Sequence, residues 1–245
     1  MNIVTGNNQN VRVYNDKQEL VDSFTEEFIN AVNLQVNSSE SFFLALSGGN
    51  TPRLIYQKFS KVENKQLWEK INLFWGDERF VPPENPESNY KMAFDAFISK
   101  VPIPQKQIYR IYGEGAPEKE RVRYEEEIKK NVPLSENGIP RFDWIFLGLG
   151  TDGHIASLFP DTINFSNMNS LCIITEHPFT GQKRLSFTLP LINNAKRISF
   201  IVTGEEKANV VNQILSGSPH CLKYPAAHVK PNDGLIEWFL DSTVF

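Results

Sequence analysis

His154 and Asp152 are the side chains of this sequence best suited to acid–base chemistry. They lie two residues apart in a glycine-rich segment that follows the most apolar run of the chain. Histidine side chains titrate near neutral pH, so an imidazole in such a position can serve as a general base. A carboxylate beside it can orient the ring and stabilise its charged form. We therefore predict a catalytic pair, with a purely structural histidine as the alternative.

The glycines around this pair also match a dinucleotide pattern. Gly148, Gly150 and Gly153 have GxGxxG spacing after a predicted strand. Pro160 would end a following helix after roughly two turns, which is too short for the usual crossover. No acidic residue closes a second strand about twenty residues later, as ribose binding requires. The sequence thus disfavours a dinucleotide site.

A second glycine-rich turn, residues 46–52 (LSGGNTP), has the composition of an anion cradle. Two adjacent glycines let the backbone turn tightly and bring its N–H groups close to a ligand. The helix predicted to follow would direct its positive end toward the same point. The predicted phosphate-binding residues here are Ser47, Gly48, Gly49, Asn50 and Thr51. An ordinary strand-to-helix turn is the alternative, and the absence of a GxSxG pattern argues against a Ser47 nucleophile.

Three charged residues follow another buried run, in residues 76–79 (GDER). The planar guanidinium of Arg79 suits an oxyanion, and Asp77 is placed to orient the sugar or a neighbouring side chain. A solvated loop with an internal ion pair is the alternative. Arg184, which opens a predicted strand, and Lys207, where a predicted strand gives way to a helix, are further candidates for binding an anion. A charge on an edge strand and a solvated helix lysine are the respective alternatives.

Short apolar runs alternate with amphipathic segments, which predicts a mostly parallel sheet with helices on both faces. The predicted strands are residues 11–14, 41–46, 71–75, 108–111, 142–147, 171–175, 184–191, 198–202 and 235–240. The predicted helices are residues 16–36, 51–59, 89–99, 117–130 and 205–215, with Thr51 and Ser88 as N-caps and Pro52 in a first turn,. The close spacing of strands in the last third predicts some antiparallel pairing. Because ligands bind outside the carboxyl ends of strands in such sheets, the loops named above are expected to converge.

Composition limits the remaining possibilities. The chain has 245 residues and a net charge of −4, which suits one α/β domain over residues 1–245 and gives nucleic acid no basic surface,. The cysteines, Cys172 and Cys221, are far apart and are expected to be reduced thiols. The polar N-terminus has no secretory pattern and no apolar run reaches the roughly 20 residues that span a bilayer, so we expect a cytoplasmic protein. We expect no membrane partner, and the sequence leaves open a monomer or a small homo-oligomer.

Taken together, these blocks resemble the 6-phosphogluconolactonase family. Besides residues 46–52 and 76–79, the resemblance is carried by residues 148–160 (GLGTDGHIASLFP), 184–190 (RLSFTLP) and 203–208 (TGEEKA), and it runs from about Phe43 to residues 238–241. It implies a modified doubly wound, Rossmann-like fold of the NagB/RpiA-like type. It also implies hydrolysis of 6-phospho-D-glucono-1,5-lactone, a sugar-phosphate lactone, to 6-phosphogluconate without a cofactor or metal.

With that substrate, His154 is expected to take a proton from water while Asp152 holds the imidazole. The phosphate is assigned to the Ser47–Thr51 loop, Arg184 and Lys207, and Arg79 is able to exchange roles with Arg184. The developing oxyanion is left either to backbone N–H groups of the glycine-rich loops or to Arg79.

Two alternatives remain at the level of sequence. Glucosamine-6-phosphate deaminases share the fold and resemble this chain, but they carry a glutamate at the position of Phe159. Since phenylalanine cannot ionise, the deaminase reaction is disfavoured. A non-enzymatic sugar-phosphate sensor is the second alternative; such modules usually carry a DNA-binding segment, and no basic or helix-turn-helix-like segment is apparent here.

Overall fold

The computed structural model describes residues 2–6, 9–37, 40–161, 169–231 and 233–245. Its strands are β1 (Asn2–Gly6), β2 (Gln9–Tyr14), β3 (Phe42–Leu46), β4 (Ile71–Trp75), β5 (Asp77–Arg79), β6 (Trp144–Leu147), β7 (Cys172–Glu176), β8 (Lys183–Phe187), β9 (Arg197–Val202) and β10 (Leu235–Asp241). Its α-helices are α1 (Lys17–Asn37), α2 (Asn50–Phe59), α3 (Lys65–Trp68), α4 (Asn89–Ala96), α5 (Pro117–Asn131), α6 (Leu189–Asn193) and α7 (Ala208–Leu215).

Seven strands form the main sheet in the order β1-β2-β10-β9-β6-β3-β4. All neighbouring pairs are parallel except β1 with β2. From β3 the chain moves outward to β4 and then returns to β6 on the other side of β3, so its direction of winding reverses there. The prediction of a mostly parallel, doubly wound sheet is confirmed.

Helices cover both faces of this sheet. Trp144 and Phe74 lie on opposite faces, because they pair with successive residues of β3,. On one face Phe24 of α1 packs against Trp144, with ring centroids 5.4 Å apart. On the other face Tyr124 of α5 packs against Phe74, with centroids 6.3 Å apart. The predicted arrangement of helices on both faces is therefore confirmed.

Among the strands of the described residues, antiparallel pairing joins β1 with β2 and the members of a second, three-stranded sheet, ordered β5-β8-β7. The predicted antiparallel character of the last third is confirmed, although β5, from the first third of the chain, also joins this sheet. The strand predicted over residues 184–191 ends at Phe187, and Pro190 lies in the first turn of α6 instead. Proline lacks the N–H that a continuing strand would need.

The strand predicted over residues 108–111 is wrong. Only Ile108 forms a bridge, with Leu73, before the segment leaves the edge of the sheet. Side chains of α5 take over its backbone hydrogen bonds: Arg123 donates to the carbonyl of Arg110 at 3.0 Å, and Glu120 accepts from the N–H of Tyr112 at 2.7 Å. These bonds replace the backbone hydrogen bonds that a strand would have made with a neighbouring strand.

The two predicted N-caps have different outcomes. Ser88 caps α4 as predicted, since its side chain accepts from the N–H of Lys91. The assignment of Thr51 as a cap is wrong, because α2 begins one residue earlier and Gly49 is its N-cap. Gly49 has a φ of 106°, a conformation that glycine adopts readily, and it has no side chain to offer the first N–H groups of α2,.

Candidate active site

The three predicted loops meet in one cleft at the carboxyl edge of the main sheet. The cleft has a volume of about 440 Å³ and spans the reversal point between β3 and β6, where doubly wound folds bind ligands,. The predicted residues that line it are Ser47, Gly48, Gly49, Asn50, Thr51, Asp77, Arg79, His154, Arg184 and Lys207. Asp152 stands beside them, in contact with His154.

The pair formed by Asp152 and His154 is closely coupled. Oδ1 of Asp152 lies 2.6 Å from Nδ1 of His154. Burial opposes ionisation of Asp152, but the bond and the charge of His154 outweigh it and lower the pKa of Asp152 to about 2. An ionised carboxylate only accepts hydrogen bonds, so Nδ1 carries a proton, and in the neutral form of the ring Nε2 then holds the lone pair. With 32% of its side chain exposed, His154 is accessible from the cleft.

Glycines shape the turn that presents this histidine. A Cβ atom on Gly150 would lie 2.0 Å from Nδ1 of His154, so a side chain there would displace the ring. The N–H of Gly150 donates to the carbonyl of His154 at 2.9 Å, which closes the turn. Residues 151–161 continue as turns rather than as the helix that follows a dinucleotide fingerprint,.

The glycine turn after β3 faces this histidine turn across the cleft. Oγ of Ser47 accepts a hydrogen bond from the N–H of Gly148 at 3.2 Å, which ties the two turns together. The hydroxyl of Thr51 lies 2.7 Å from that of Thr203, at the end of β9. Because the first N–H groups of a helix lack partners within the helix, the start of α2 offers donors and a positive dipole end to an anion.

Arg79 and Arg184 supply positive charge on the side of the three-stranded sheet. Arg79 donates to the carbonyl of Glu87, and Nη2 of Arg184 donates to Gln182 at 3.0 Å. Among the residues that the structure describes, the Nε atom of each arginine is buried without a hydrogen-bond partner. Burial lowers the pKa of Arg184, and the positive charge of Arg79 lowers it further. The unpaired Nε atoms and the mutual repulsion of the two guanidinium groups both favour binding of an anion.

Lys207 brings a further cation from the opposite side of the cleft. It ends a short 3-10 helix, Glu205–Lys207, that connects β9 to α7. Burial lowers the pKa of Lys207, while Glu206 and Asp152 partly offset this effect. The lysine therefore lies in a partly desolvated position, where its attraction for an anion is stronger than in bulk water.

Both carboxylate oxygens of Asp77 accept hydrogen bonds from neighbouring side chains. One carboxylate oxygen accepts from the hydroxyl of Ser157 at 2.7 Å, and the other accepts from Nδ2 of Asn89 at 3.3 Å. Ser157 lies three residues after His154, so this bond joins β5 to the histidine turn. Of the two roles considered for Asp77, the contacts favour orientation of a neighbour.

Sequence reasoning missed several residues that line the cleft: Lys17, Asn89, Thr203 and Glu206. Asn89 is placed there by Glu78, whose carboxylate accepts from Ser88, Asn89 and Tyr90 at 2.8–2.9 Å. Glu78 is thus a buried anchor for the start of α4 rather than part of a solvated loop. The Ser88 cap marked this helix start in the sequence, but nothing local indicated that it meets the cleft.

Phe159 occupies the far side of the histidine ring. It is buried, and its ring centroid lies 5.0 Å from that of His154 and 5.2 Å from that of His177. The position at which deaminases are expected to carry a glutamate is thus filled by an apolar ring in contact with the candidate base. Nδ1 of His177 accepts from the N–H groups of Phe179 and Thr180, consistent with a structural role.

Other sequence expectations concern the rest of the chain. Cys172 and Cys221 are both buried and neither forms a disulfide. Over the described ranges, no helix combines the length and apolarity that crossing a bilayer requires. Over the same ranges, no three histidine, cysteine, aspartate or glutamate side chains are grouped as a metal site.

Comparison with known proteins gives consistent results. A family model described as glucosamine-6-phosphate isomerases/6-phosphogluconolactonase matches residues 15–238. A 6-phosphogluconolactonase of Haemophilus influenzae is 42% identical over 226 residues, which cover 91% of this chain and 93% of that protein.

Solved structures of other proteins share the fold of this chain. A crystal structure of a protein named devB has a TM-score of 0.89 and 36% identity, and the match covers 96% of this chain and 98% of that one. A monomeric glucosamine-6-phosphate deaminase has a TM-score of 0.79 at 20% identity, covering 96% of this chain and 98% of the deaminase. At that identity the likeness shows a common fold alone.

Proposed function

The chain belongs to the glucosamine-6-phosphate isomerase/6-phosphogluconolactonase family, and we propose that it hydrolyses 6-phospho-D-glucono-1,5-lactone to 6-phosphogluconate. This reaction is the second step of the oxidative pentose phosphate pathway. The observation that carries the proposal is the 2.6 Å contact between Asp152 and Nδ1 of His154, in a cleft that also holds a helix N-terminus and four cationic side chains. The predicted cytoplasmic location and the oligomeric state stay predictions.

In this mechanism Nε2 of His154 takes a proton from the water that attacks the lactone carbonyl. Asp152 keeps the proton on Nδ1 and stabilises the imidazolium as it forms. The protonated Nε2 then returns its proton to the ring oxygen as the C–O bond breaks, which gives an open-chain carboxylic acid and alcohol. The acid then releases its remaining proton to solvent and becomes the carboxylate. A positioned base of this kind contributes about 10²–10⁴-fold to the rate.

The phosphate is held by the first turn of α2 and the residues that precede it, together with Arg184 and Lys207. Each charge-assisted hydrogen bond contributes roughly 1.5–3 kcal/mol to binding. Anchoring the far end of the sugar also fixes the carbonyl next to His154, which lowers the entropic cost of the reaction. Arg79 is able to exchange this role with Arg184, since both line the same wall.

The negative charge that develops on the carbonyl oxygen requires a donor in the cleft. The candidates are the backbone N–H groups of the two glycine turns and the guanidinium of Arg79. One such donor is worth about 3–4 kcal/mol of transition-state stabilisation. If Arg79 serves, R79K lowers kcat much more than it raises KM; if the backbone serves, R79K acts mainly on KM.

The shared fold makes deamination of glucosamine 6-phosphate the natural competitor. That reaction is expected to pair the histidine with a glutamate at position 159, and here the position holds Phe159, buried against the histidine ring. An apolar ring cannot exchange protons with the substrate. This contact supports the lactonase over the deaminase.

The test is a proton-release assay with freshly prepared lactone, measured against the spontaneous rate. The wild-type protein is expected to exceed that rate, and H154A is expected to lose about 10²–10⁴-fold of the enhancement. The matched control is H220A, which removes an exposed histidine outside the cleft and leaves the rate unchanged.

Two results would count against the proposal. Full activity in a folded H154A protein would remove His154 as the base. Ammonia release from glucosamine 6-phosphate, without acceleration of lactone hydrolysis, would assign the cleft to the deaminase reaction.

A further inference from the structure

Two buried tyrosine hydroxyls make the same unusual pair of hydrogen bonds. The hydroxyl of Tyr56 donates to the carbonyl of Ser47 at 2.9 Å and accepts from the N–H of the same residue at 3.1 Å. The hydroxyl of Tyr124 donates to the carbonyl of Trp75 at 3.0 Å and accepts from its N–H at 2.8 Å. Each tyrosine therefore satisfies both backbone groups of one residue.

Both bonded residues lie where adjacent parallel strands end. β3 and β4 pair up to Leu46 and Trp75, and one further bond joins the N–H of Gly76 to the carbonyl of Leu46. Beyond this point the chains diverge into the site loops, and their buried backbone groups need other partners. A hydroxyl suits this task because it is both donor and acceptor. Burial raises the pKa of both tyrosines, so the hydroxyl proton is retained.

The loops that follow are the ones that bind the anion in the proposed function. Ser47 leads directly into the glycine turn and the start of α2, and its side chain also joins Gly148. Trp75 leads into β5, which carries Asp77 and Arg79. A shift of either strand end would be passed on within two to four residues to the groups that face the substrate.

We propose that Tyr56 and Tyr124 are positioning residues for substrate binding, whose hydroxyls hold the ends of β3 and β4 so that the two anion-binding loops converge. The assignment rests on the proposed function for the identity of the substrate. Neither hydroxyl lines the cleft, so each acts through the backbone that it holds. Tyr56 belongs to α2 and Tyr124 to α5, so the two helices brace the site from opposite faces of the sheet.

The test compares Y56F and Y124F with wild type. Each variant removes one oxygen atom and leaves the aromatic ring in place. Tyr109 provides the matched control, because its hydroxyl also makes a hydrogen bond, to Asn131 at 3.2 Å, but away from the cleft. The readouts are the Kd for 6-phosphogluconate and for inorganic phosphate by calorimetry, the KM and kcat for the lactone, and the free energy of unfolding in urea.

Y56F and Y124F are each expected to raise the Kd and the KM about tenfold, since small displacements of binding groups weaken substrate positioning strongly. In Y56F kcat is expected to change less than KM, because the His154 turn keeps its own hydrogen bonds. Y109F is expected to keep the wild-type Kd, KM and kcat even where it lowers stability.

A Kd and a KM within twofold of wild type, in a variant that is less stable, would overturn the assignment for that tyrosine and leave it a structural role only. The variants are also measured with added sucrose, which favours the folded state, so that partial unfolding is not mistaken for weak binding. A wild-type protein that binds both anions but does not accelerate lactone hydrolysis contradicts the proposed function alone. A wild-type protein that binds neither anion overturns the tyrosine assignment as well.

Discussion

Arg79 and Arg184 are directly opposite each other in the antiparallel pair of β5 and β8. Like charges at such positions destabilise a sheet, and here burial and Arg79 both lower the pKa of Arg184. Within the described residues, the Nε atoms of both arginines are buried and unpaired. The free protein thus carries a repulsion that an anion bound as proposed would relieve, as is common where function requires a charge arrangement that stability does not.

Replacing Arg184 is therefore expected to separate stability from binding. R184M removes the repulsion and keeps much of the side-chain length, so the free energy of unfolding without ligand should rise by about 0.2–1 kcal/mol. The same change should raise the Kd for 6-phosphogluconate at least tenfold, because a charge-assisted bond of about 1.5–3 kcal/mol is lost. Urea unfolding and calorimetry measure the two effects. R53M, at an exposed arginine on α2, should change neither; a less stable R184M with unchanged affinity would contradict the prediction.

Asp152 should matter for the rate more than for binding. In D152N the amide NH₂ group is able to donate to Nδ1, which moves the ring proton to Nε2 and removes the lone pair that accepts the proton from water. We expect kcat to fall by about 10²-fold or more, with a small change in KM. Steady-state kinetics on fresh lactone check this. A D152N protein with wild-type kcat would mean that the carboxylate does not set the tautomer of His154.

Because of Lys207, the affinity for 6-phosphogluconate should fall at alkaline pH. Burial lowers its pKa from the usual 10.5, and the charged form, present below that pKa, is the one that attracts phosphate. As the pH rises through the lowered value, the lysine loses its charge and the affinity for 6-phosphogluconate should fall, at a lower pH than for an exposed lysine. Calorimetric Kd values between neutral and alkaline pH measure this alkaline limit.

In K207R this limit should disappear, because arginine stays charged throughout that range. In K207M the affinity should be weak at every pH. An unchanged alkaline limit in K207R would assign the titration to another group.

Gly48 should tolerate no side chain, for reasons of space. A Cβ atom there would lie 2.1 Å from Oδ1 of Asn89, whose amide donates to the carbonyl of Asp77 at 2.9 Å. G48A is therefore expected to cost about 1–3 kcal/mol of stability through overpacking and to weaken binding of 6-phosphogluconate. Unfolding and calorimetry are compared for G48A, N89A and the double variant.

Removal of the Asn89 amide makes room for the new methyl group, so the double variant should lose less stability than the sum of the single ones. Additive losses would show that the strain in G48A arises elsewhere.

Local sequence patterns were sufficient for much of this protein. The alternation of buried strands with amphipathic helices predicted a mostly parallel sheet with helices on both faces, and the family resemblance implied that it is doubly wound. Strand ends followed by Gly, Asp, His and Arg marked the site loops. These signals are local because strand and helix periodicity, and the turn preference of glycine, act over a few residues. The motif around His154 also indicated the family, which the comparisons bear out.

Long-range pairing decided the rest. Nothing near residues 108–111 showed that side chains of α5 would replace their strand partners, or that Glu78 would hold Asn89 in the cleft. The opposition of Arg79 and Arg184, and the bond from Ser157 to Asp77, join residues about 80 to 105 positions apart. Such contacts depend on the order and register of the strands. Both are fixed only when the chain folds, because the partners are far apart in sequence.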